Sequence, residues 1–429
     1  MSGFTLRPAF PDLDHEQRPY TLVSDGLPYD EACRVHLDGF INARRAYIIV
    51  SKSLAAQTDR LQRLERTLGP RHVGSWLGIP AHTPYEALID IINDMRAKQA
   101  DCLITVGGGS LADGAQIIAY ALANDVHTLN DLTQLGNPFR LQMNEIMTSV
   151  GKPNELVIGK APEIPLIFMP TTLSGAEYSR YGAGTEPVNK LKIMFTHPRF
   201  FASLIILDPE LASTTPDWVW RSTGVRAIDH CVENIASSNS KPESDKACER
   251  GLVRLVRSLL VYAKNPNDLS ARLESMMGCN DSMTGLNIGV MAGASHGIGH
   301  QLGPLGVGHG QTSCILSPAV EKYNARVNKP QQDKIHRILW DQPDIAAVLT
   351  QNGLQRHASD VGDALRAIFN ELGMPKTLQE VGVGRDKWEQ IAENSLEDHL
   401  ARMNPIPITR KEQVYEILQM VEGDVAAVQ

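Results

Sequence analysis

The sequence predicts an α/β domain followed by an all-helical domain, divided near Asp208. Three observations carry this. Before residue 208, short apolar runs rich in β-branched residues alternate with helix-patterned segments. Beyond it, apolar residues recur almost solely at helical spacing. Turns rich in glycine and hydroxyls follow the apolar runs, where an open parallel sheet presents its ligand edge. The expected domains are 1–208, with 1–30 a Pro-rich irregular arm, and 209–429.

Taken in order, Ala46–Val50 (AYIIV) reads as a buried strand. Ser53–Leu68 carries Leu54, Leu61, Leu64 and Leu68 at helical spacing and stops at Gly69-Pro70. Tyr85–Lys98 is a second amphipathic helix, with Leu88, Ile91, Ile92 and Met95 on one side. Asp101–Val106 is a buried strand, then come Gly107–Ser110 and a helix over Leu111–Leu122. Residues 123–160, rich in Asn, Gly and Pro, read as a long surface excursion. Ile164–Met169 and Ser203–Leu207 complete the strands. Helices are expected over 243–263, 271–294, 334–349 with a break near Pro343, 360–372, 385–401 and 411–421.

Composition limits the function classes. The 429 residues are 42% hydrophobic and 21% charged, ordinary globular usage in a chain able to bury a core without disulfide or metal staples. A net charge of −8 argues against a nucleic-acid partner. The six cysteines form no Cys-x-x-Cys pair and read as buried thiols of a reducing compartment. With no apolar run near ~18 residues and no signal-like N-terminus, the expectation is a cytoplasmic protein without a membrane partner.

Gly107, Gly108, Gly109 and Ser110 lie between a strand and a helix. Glycines there let the backbone approach a phosphate, and the new helix aims free N–H groups at it. The spacing is not Gly-x-Gly-x-x-Gly, so no ordinary Rossmann fingerprint is present. Pro170–Glu177 places a second hydroxyl-rich turn after a strand. Histidine is the densest signal: His296 and His300 share a helix face, His309 follows, and His230 can join them. Such imidazoles suit a divalent metal or proton transfer. Arg226 and His230 are also four apart, whereas Asp229 projects about 100° from His230 and reads as a cap or surface ion pair.

Together these segments resemble the iron-containing alcohol dehydrogenase superfamily over about residues 35–420. The resemblance rests on Gly107–Ser110 with Asp113, Pro170–Glu177, Asp208–Leu211, Gly224–Glu233, His296–Gly303, His309-Gly310 and Asn404–Pro407. His82–Pro84 is most like the maleylacetate reductases. The resemblance implies a dehydroquinate synthase-like architecture: an α/β dinucleotide-binding domain, an all-α domain and an active site in the cleft between. It implies NADPH or NADH as cofactor, with Gly107–Ser110 on the pyrophosphate and Asp113, Thr171, Thr172, Leu173, Ser174 and Lys192 lining it. His230, His296 and His309 are the metal ligands it implies for metal-dependent members, His300 the proton relay, and a homodimer the assembly.

Three departures refine this. Metal-dependent members carry Asp where this chain has Arg226, a cation that repels a divalent ion. Ser51 and Lys52 stand where many members have an acid for the ribose, which suits the 2′-phosphate of NADP. Gln116 replaces a lysine of the family pattern. The expected function is therefore NAD(P)H-dependent reduction of a small, carboxylated enone or keto acid, as in maleylacetate reductases. Arg226, His230, His296 and His309 would supply a positive field and His300 the proton, with no metal required. The alternatives are a metal-dependent alcohol or aldehyde dehydrogenase, a silent cofactor-binding homologue, and a specialised-pathway enzyme.

Overall fold

A computed structural model describes residues 3–13, 21–80, 83–141, 158–188 and 191–423. His82 of the His82–Pro84 motif lies outside the described residues. The chain divides into two compact units, one running to Thr215 and including Asn287–Gly289, the other formed by Pro216–Leu286 and the chain from Val290 onward. The division follows Thr215 rather than Asp208. Asp208 is tied to the first unit, because its carboxylate accepts the Tyr29 N–H at 2.8 Å and the Glu210 N–H at 2.8 Å.

In the first unit, strands β1 (Thr5–Pro8), β2 (Leu22–Asp25), β3 (Ala46–Val50), β4 (His72–Leu77), β5 (Cys102–Gly107), β6 (Leu166–Pro170) and β9 (Leu204–Leu207) form one sheet. Its order is β1-β2-β9-β6-β5-β3-β4, parallel except for the β1–β2 pair. Strands β7 (Tyr181–Thr185) and β8 (Lys192–Thr196) form a separate antiparallel pair. The helices of this unit are α1 (Tyr29–His36), α2 (Lys52–Gln57), α3 (Arg60–Leu68), α4 (Tyr85–Ala97), α5 (Gly109–Ala123), α6 (Leu129–Leu141) and α7 (Pro209–Ala212).

Strands β3, β5, β6 and β9 are buried throughout, which is why their sequences are unbroken apolar runs. Alternate residues serve opposite faces. Ile48, Val50, Ile104, Val106, Ile167 and Ile206 share one core with Tyr29 and Cys33 of α1 and Leu61, Leu64 and Leu68 of α3.

Three expectations are corrected here. Residues 1–30 are not simply an irregular arm: β1 and β2 extend the sheet, with Val23 opposite Ile205. A proline-bearing edge strand shows no alternation that sequence reading can detect, and an edge tolerates Pro8. Within 123–160, α6 spans Leu129–Leu141, while 142–157 lie outside the described residues. The helix expected over Ser53–Leu68 is broken into α2 and α3 at Thr58, which is extended at φ −141° and ψ 165°.

Every described element of the second unit is a helix: α8 (Asp217–Ala236), α9 (Pro242–Lys264), α10 (Leu269–Ser282), α11 (Thr284–Asn287), α12 (Ala294–Leu302), α13 (His309–Asn324), α14 (Lys329–Trp340), α15 (Pro343–Gln351), α16 (Val361–Glu371), α17 (Trp388–Glu397), α18 (His399–Met403) and α19 (Lys411–Gln419), apart from three short 3-10 turns. Pro318 sits inside α13 and cannot donate to the Cys314 carbonyl. Arg366 of α16 replaces that donor at 3.2 Å and also caps the Ile315 carbonyl at 3.0 Å, so α13 runs unbroken past the proline. The six cysteines are free and buried, as their spacing suggests.

Candidate active site

In the first unit, the turns after β3, β5 and β6 leave the carboxyl ends of adjacent parallel strands. Gly107 ends β5 at φ 153°, a conformation side chains disfavour, and a Cβ there would lie 2.6 Å from Leu111 Cδ1 and 3.2 Å from Ser51 Cβ. Gly108 caps α5, whose N–H groups open onto half-exposed Gly108, Gly109 and Ser110. A Cβ on Gly109 would meet Ser174 Oγ at 2.7 Å, and one on Gly108 would meet Thr172 Cγ2 at 3.3 Å. The glycine turn is thus a cradle walled by Thr172 and Ser174, with the shape and helix terminus that a pyrophosphate needs.

Asp113 lies one turn into α5 and accepts the Ala183 N–H at 3.3 Å. Burial pushes its carboxyl up to about 6, opposed by the charge of Lys192 at the start of β8. Lys192 and Lys52 are exposed, Ser51 half-buried, Thr171 and Leu173 buried. Lys52 lays its stem over Gly78. Gln116 is not at this site: it is fully buried and donates to the Ser179 carbonyl at 2.7 Å. Sequence reading assigned no role to Glu177, a buried carboxyl that desolvation pushes up to about 8.

In the second unit, α8 presents Arg226, Asp229, His230 and Glu233, α12 presents His296 and His300, and α13 begins at His309. The four rings form two parallel pairs: His230 on His296 with centroids 4.6 Å apart, and His300 beside His309 at 6.5 Å. Asp229 is not a cap or surface group. It is wholly buried, accepts the Ser295 hydroxyl at 2.7 Å and lies 3.3 Å from His296 Nδ1. The 100° helical offset aims it toward α12, which sequence spacing within α8 cannot reveal. Glu233 is closer still, with Oε2 at 2.5 Å from His296 Nδ1 and Oε1 accepting the Ser295 N–H at 2.8 Å. His300 Nδ1 lies 2.9 Å from Asp398 Oδ2.

Arg226 is 3% exposed, and its Nη1 donates to Ser313 Oγ at 3.2 Å and Thr312 Oγ1 at 3.4 Å. Burial lowers its pKa to about 10, against the pull of Asp229 and Glu233, so it stays charged at neutral pH. Burial also holds Asp229 above the usual carboxylate range and pushes Glu233 up to about 7. It drives His230 and His296 well below ordinary histidine, reinforced by His296 and Arg226 at His230 and by Arg226 and His300 at His296. The cluster is one permanent cation among carboxyls that share little negative charge, with two neutral imidazoles.

Glu321 of α13 borders the same small cavity as Glu233, with Asn324 and Asn404. Burial raises its carboxyl to about 8. A carboxyl raised in the folded state stabilises fully below the unfolded value and loses that contribution as pH rises through the folded one. Glu321→Gln removes the titration. Its unfolding free energy is expected to gain on wild type by a few kcal/mol, on the order of magnitude, between pH ~5 and ~9. Urea melts across that range check this, and a difference that shrinks with pH contradicts the assignment.

Residues 30–209 match the family described as iron-containing alcohol dehydrogenase, and residues 221–421 match the Fe-containing alcohol dehydrogenase family, C-terminal part. The chain belongs to the iron-containing alcohol dehydrogenase family. Dehydrogenase FUM7 of Gibberella moniliformis is 37% identical, covering 95% of this chain and 99% of its own length. Dehydrogenase ALT3 of Alternaria alternata is 34% identical over 87% of this chain and 98% of its own. A crystal structure of maleylacetate reductase from a Rhizobium strain shares the fold, with TM-score 0.69 and 22% identity over 98% of this chain and 99% of that one. This family member is an NAD(P)-dependent oxidoreductase. No helix among the described residues is long and apolar enough to cross a membrane.

Membership in this family raises the question of a metal. His296 by itself suits one: Glu233 holds Nδ1 as a carboxylate holds a metal-bound imidazole, and Nε2 has no hydrogen-bond partner. The full donor set does not. His309 is exposed and its ring lies beside His300. Among the described residues the trio with converging donor atoms is Asp229, Glu233 and His296, not His230, His296 and His309. In that trio Glu233 is spent on His296 and Ser295, and the Arg226 charge lies in the same cluster. These residues do not fit a divalent ion.

Proposed function

We propose that this enzyme reduces a small, carboxylated enone or keto acid with NADPH or NADH, in the manner of a maleylacetate reductase, without a metal. The observation that carries the reading is Arg226, a buried guanidinium where the family resemblance calls for an anionic metal ligand. Gly107–Ser110, Asp113, Thr171–Ser174, Lys192, Ser51 and Lys52 hold the dinucleotide, with Lys52 available to a 2′-phosphate. When bound, the reduced nicotinamide supplies a hydride.

The substrate oxygen gains negative charge as its conjugated carbon is reduced. Arg226 is too buried to grip a carboxylate, so it acts through its field, which His230 and His296 also feel. His230 and His309 offer N–H groups to that charge, His296 has its own N–H committed to Glu233, and His300, a third exposed, gives its proton to the oxygen or the resulting enol and regains it from solvent. For maleylacetate the balance is substrate, NAD(P)H and one proton to 3-oxoadipate and NAD(P)+. A cytosolic homodimer acting on a small molecule completes the reading.

The test is NADPH and NADH oxidation against maleylacetate, other keto acids and simple aldehydes, before and after dialysis against a chelator. Turnover of the carboxylated enone, unchanged by chelation, is the expected result. Activity confined to aldehydes, lost on chelation and restored by ferrous or zinc ion, would favour the metal-dependent alternative.

A further inference from the structure

The helix expected over 385–401 is broken at Asp398, which has φ −81° and ψ 124°. The break gives its carboxylate two separate tasks. Oδ1 accepts the Leu400 N–H at 2.9 Å and caps α18, while Oδ2 lies 2.9 Å from Nδ1 of His300, 98 residues earlier. The Asp398 side chain is 15% exposed. We propose that Asp398 is a positioning residue for His300, fixing the ring so that Nε2 is the atom that gives and takes the proton. This rests on the reading of His300 as the proton relay.

The chemistry follows from donor inventory. An ionised carboxylate only accepts hydrogen bonds, so Nδ1 must carry a hydrogen in either charge state of the ring. The neutral ring therefore has its lone pair on Nε2, and the imidazolium offers the Nε2 proton. His300 sits in the last turn of α12. Asp398 is itself held by the α18 cap, so the ring is anchored to a fixed point rather than to a mobile surface group.

Asp398→Asn separates charge from capping, because Asn caps helices as well as Asp. Its amide can donate to Nδ1 and move the ring proton to Nε2. In histidine-labelled wild-type enzyme, 15N NMR in alkaline buffer is expected to show His300 protonated on Nδ1, and D398N to show it on Nε2. With maleylacetate and NADPH, kcat of D398N should fall roughly 10²-fold, within the range a positioned general acid supplies. KM for NADPH should stay unchanged, and D398E should recover part of the rate. An Nε2-protonated His300 in wild type overturns the proposal without any variant or substrate. Unchanged tautomer and rate in D398N, with H300A impaired, overturns the positioning role alone. Full activity in H300A overturns the relay itself and this role with it.

Discussion

Arg226→Asp is expected to lower the stability of metal-free enzyme by about 3–5 kcal/mol, the loss typical of breaking a buried charge arrangement. Arg226 is the permanent cation in a cluster that also holds Asp229, Glu233 and, across a small cavity, Glu321. Its removal deletes the donors to Ser313 and Thr312, and an aspartate in its place adds a carboxyl to a site that already pushes Asp229 and Glu233 toward their protonated forms. A melting point lower by about 10 °C is the corresponding signal. Turnover of the carboxylated substrate should fall with the lost field.

The same variant tests the metal argument with no activity assay. Arg226→Asp has the anion that the metal-dependent pattern supplies, beside an His296 whose Nε2 is already unpartnered. Zinc ion should raise the melting point of R226D and leave wild type unmoved. A wild-type protein stabilised by zinc as strongly as R226D would show that the guanidinium does not exclude a metal.

How much of this was legible in the sequence depends on where each partner lies. Strands β3, β5, β6 and β9 could be read because burial on both faces leaves no polar position to interrupt the run. Strand β4 could not: its residues are half-buried or exposed, with no period. The glycine and hydroxyl turns were visible because such residues at a strand end have few other uses. Asp398 was hidden inside an apparent helix, and nothing local marks a carboxylate whose partner is His300 on another helix. Asp229 was misread for a related reason. Angular spacing describes one helix, whereas its burial is decided by Ser295 and His296 arriving from α12.

Gly297→Ala should impair catalysis more than any comparably destabilising change away from the site. Within the motif joining His296 to His300, a Cβ on Gly297 would lie 2.5 Å from the backbone nitrogen of Ala401, 2.8 Å from its Cβ and 2.9 Å from its Cα. Those atoms belong to α18 and cannot rotate away as a side-chain tip can. Relief requires α18 to retreat by about 1 Å to reach ordinary contact distance. Asp398 caps that helix, so the retreat draws Oδ2 away from His300. Overpacking of this kind costs about 1–3 kcal/mol, but the lost alignment of the proton donor is expected to reduce kcat by roughly 10-fold or more. Gly299→Ala meets side-chain atoms, Thr312 at 3.0 and 3.2 Å and Leu316 at 3.8 Å, and should be milder. Gly303→Ala, with nothing within 4 Å, should leave both stability and rate near wild type. If G297A and G303A prove kinetically alike, the close approach of α18 to α12 does not govern the site.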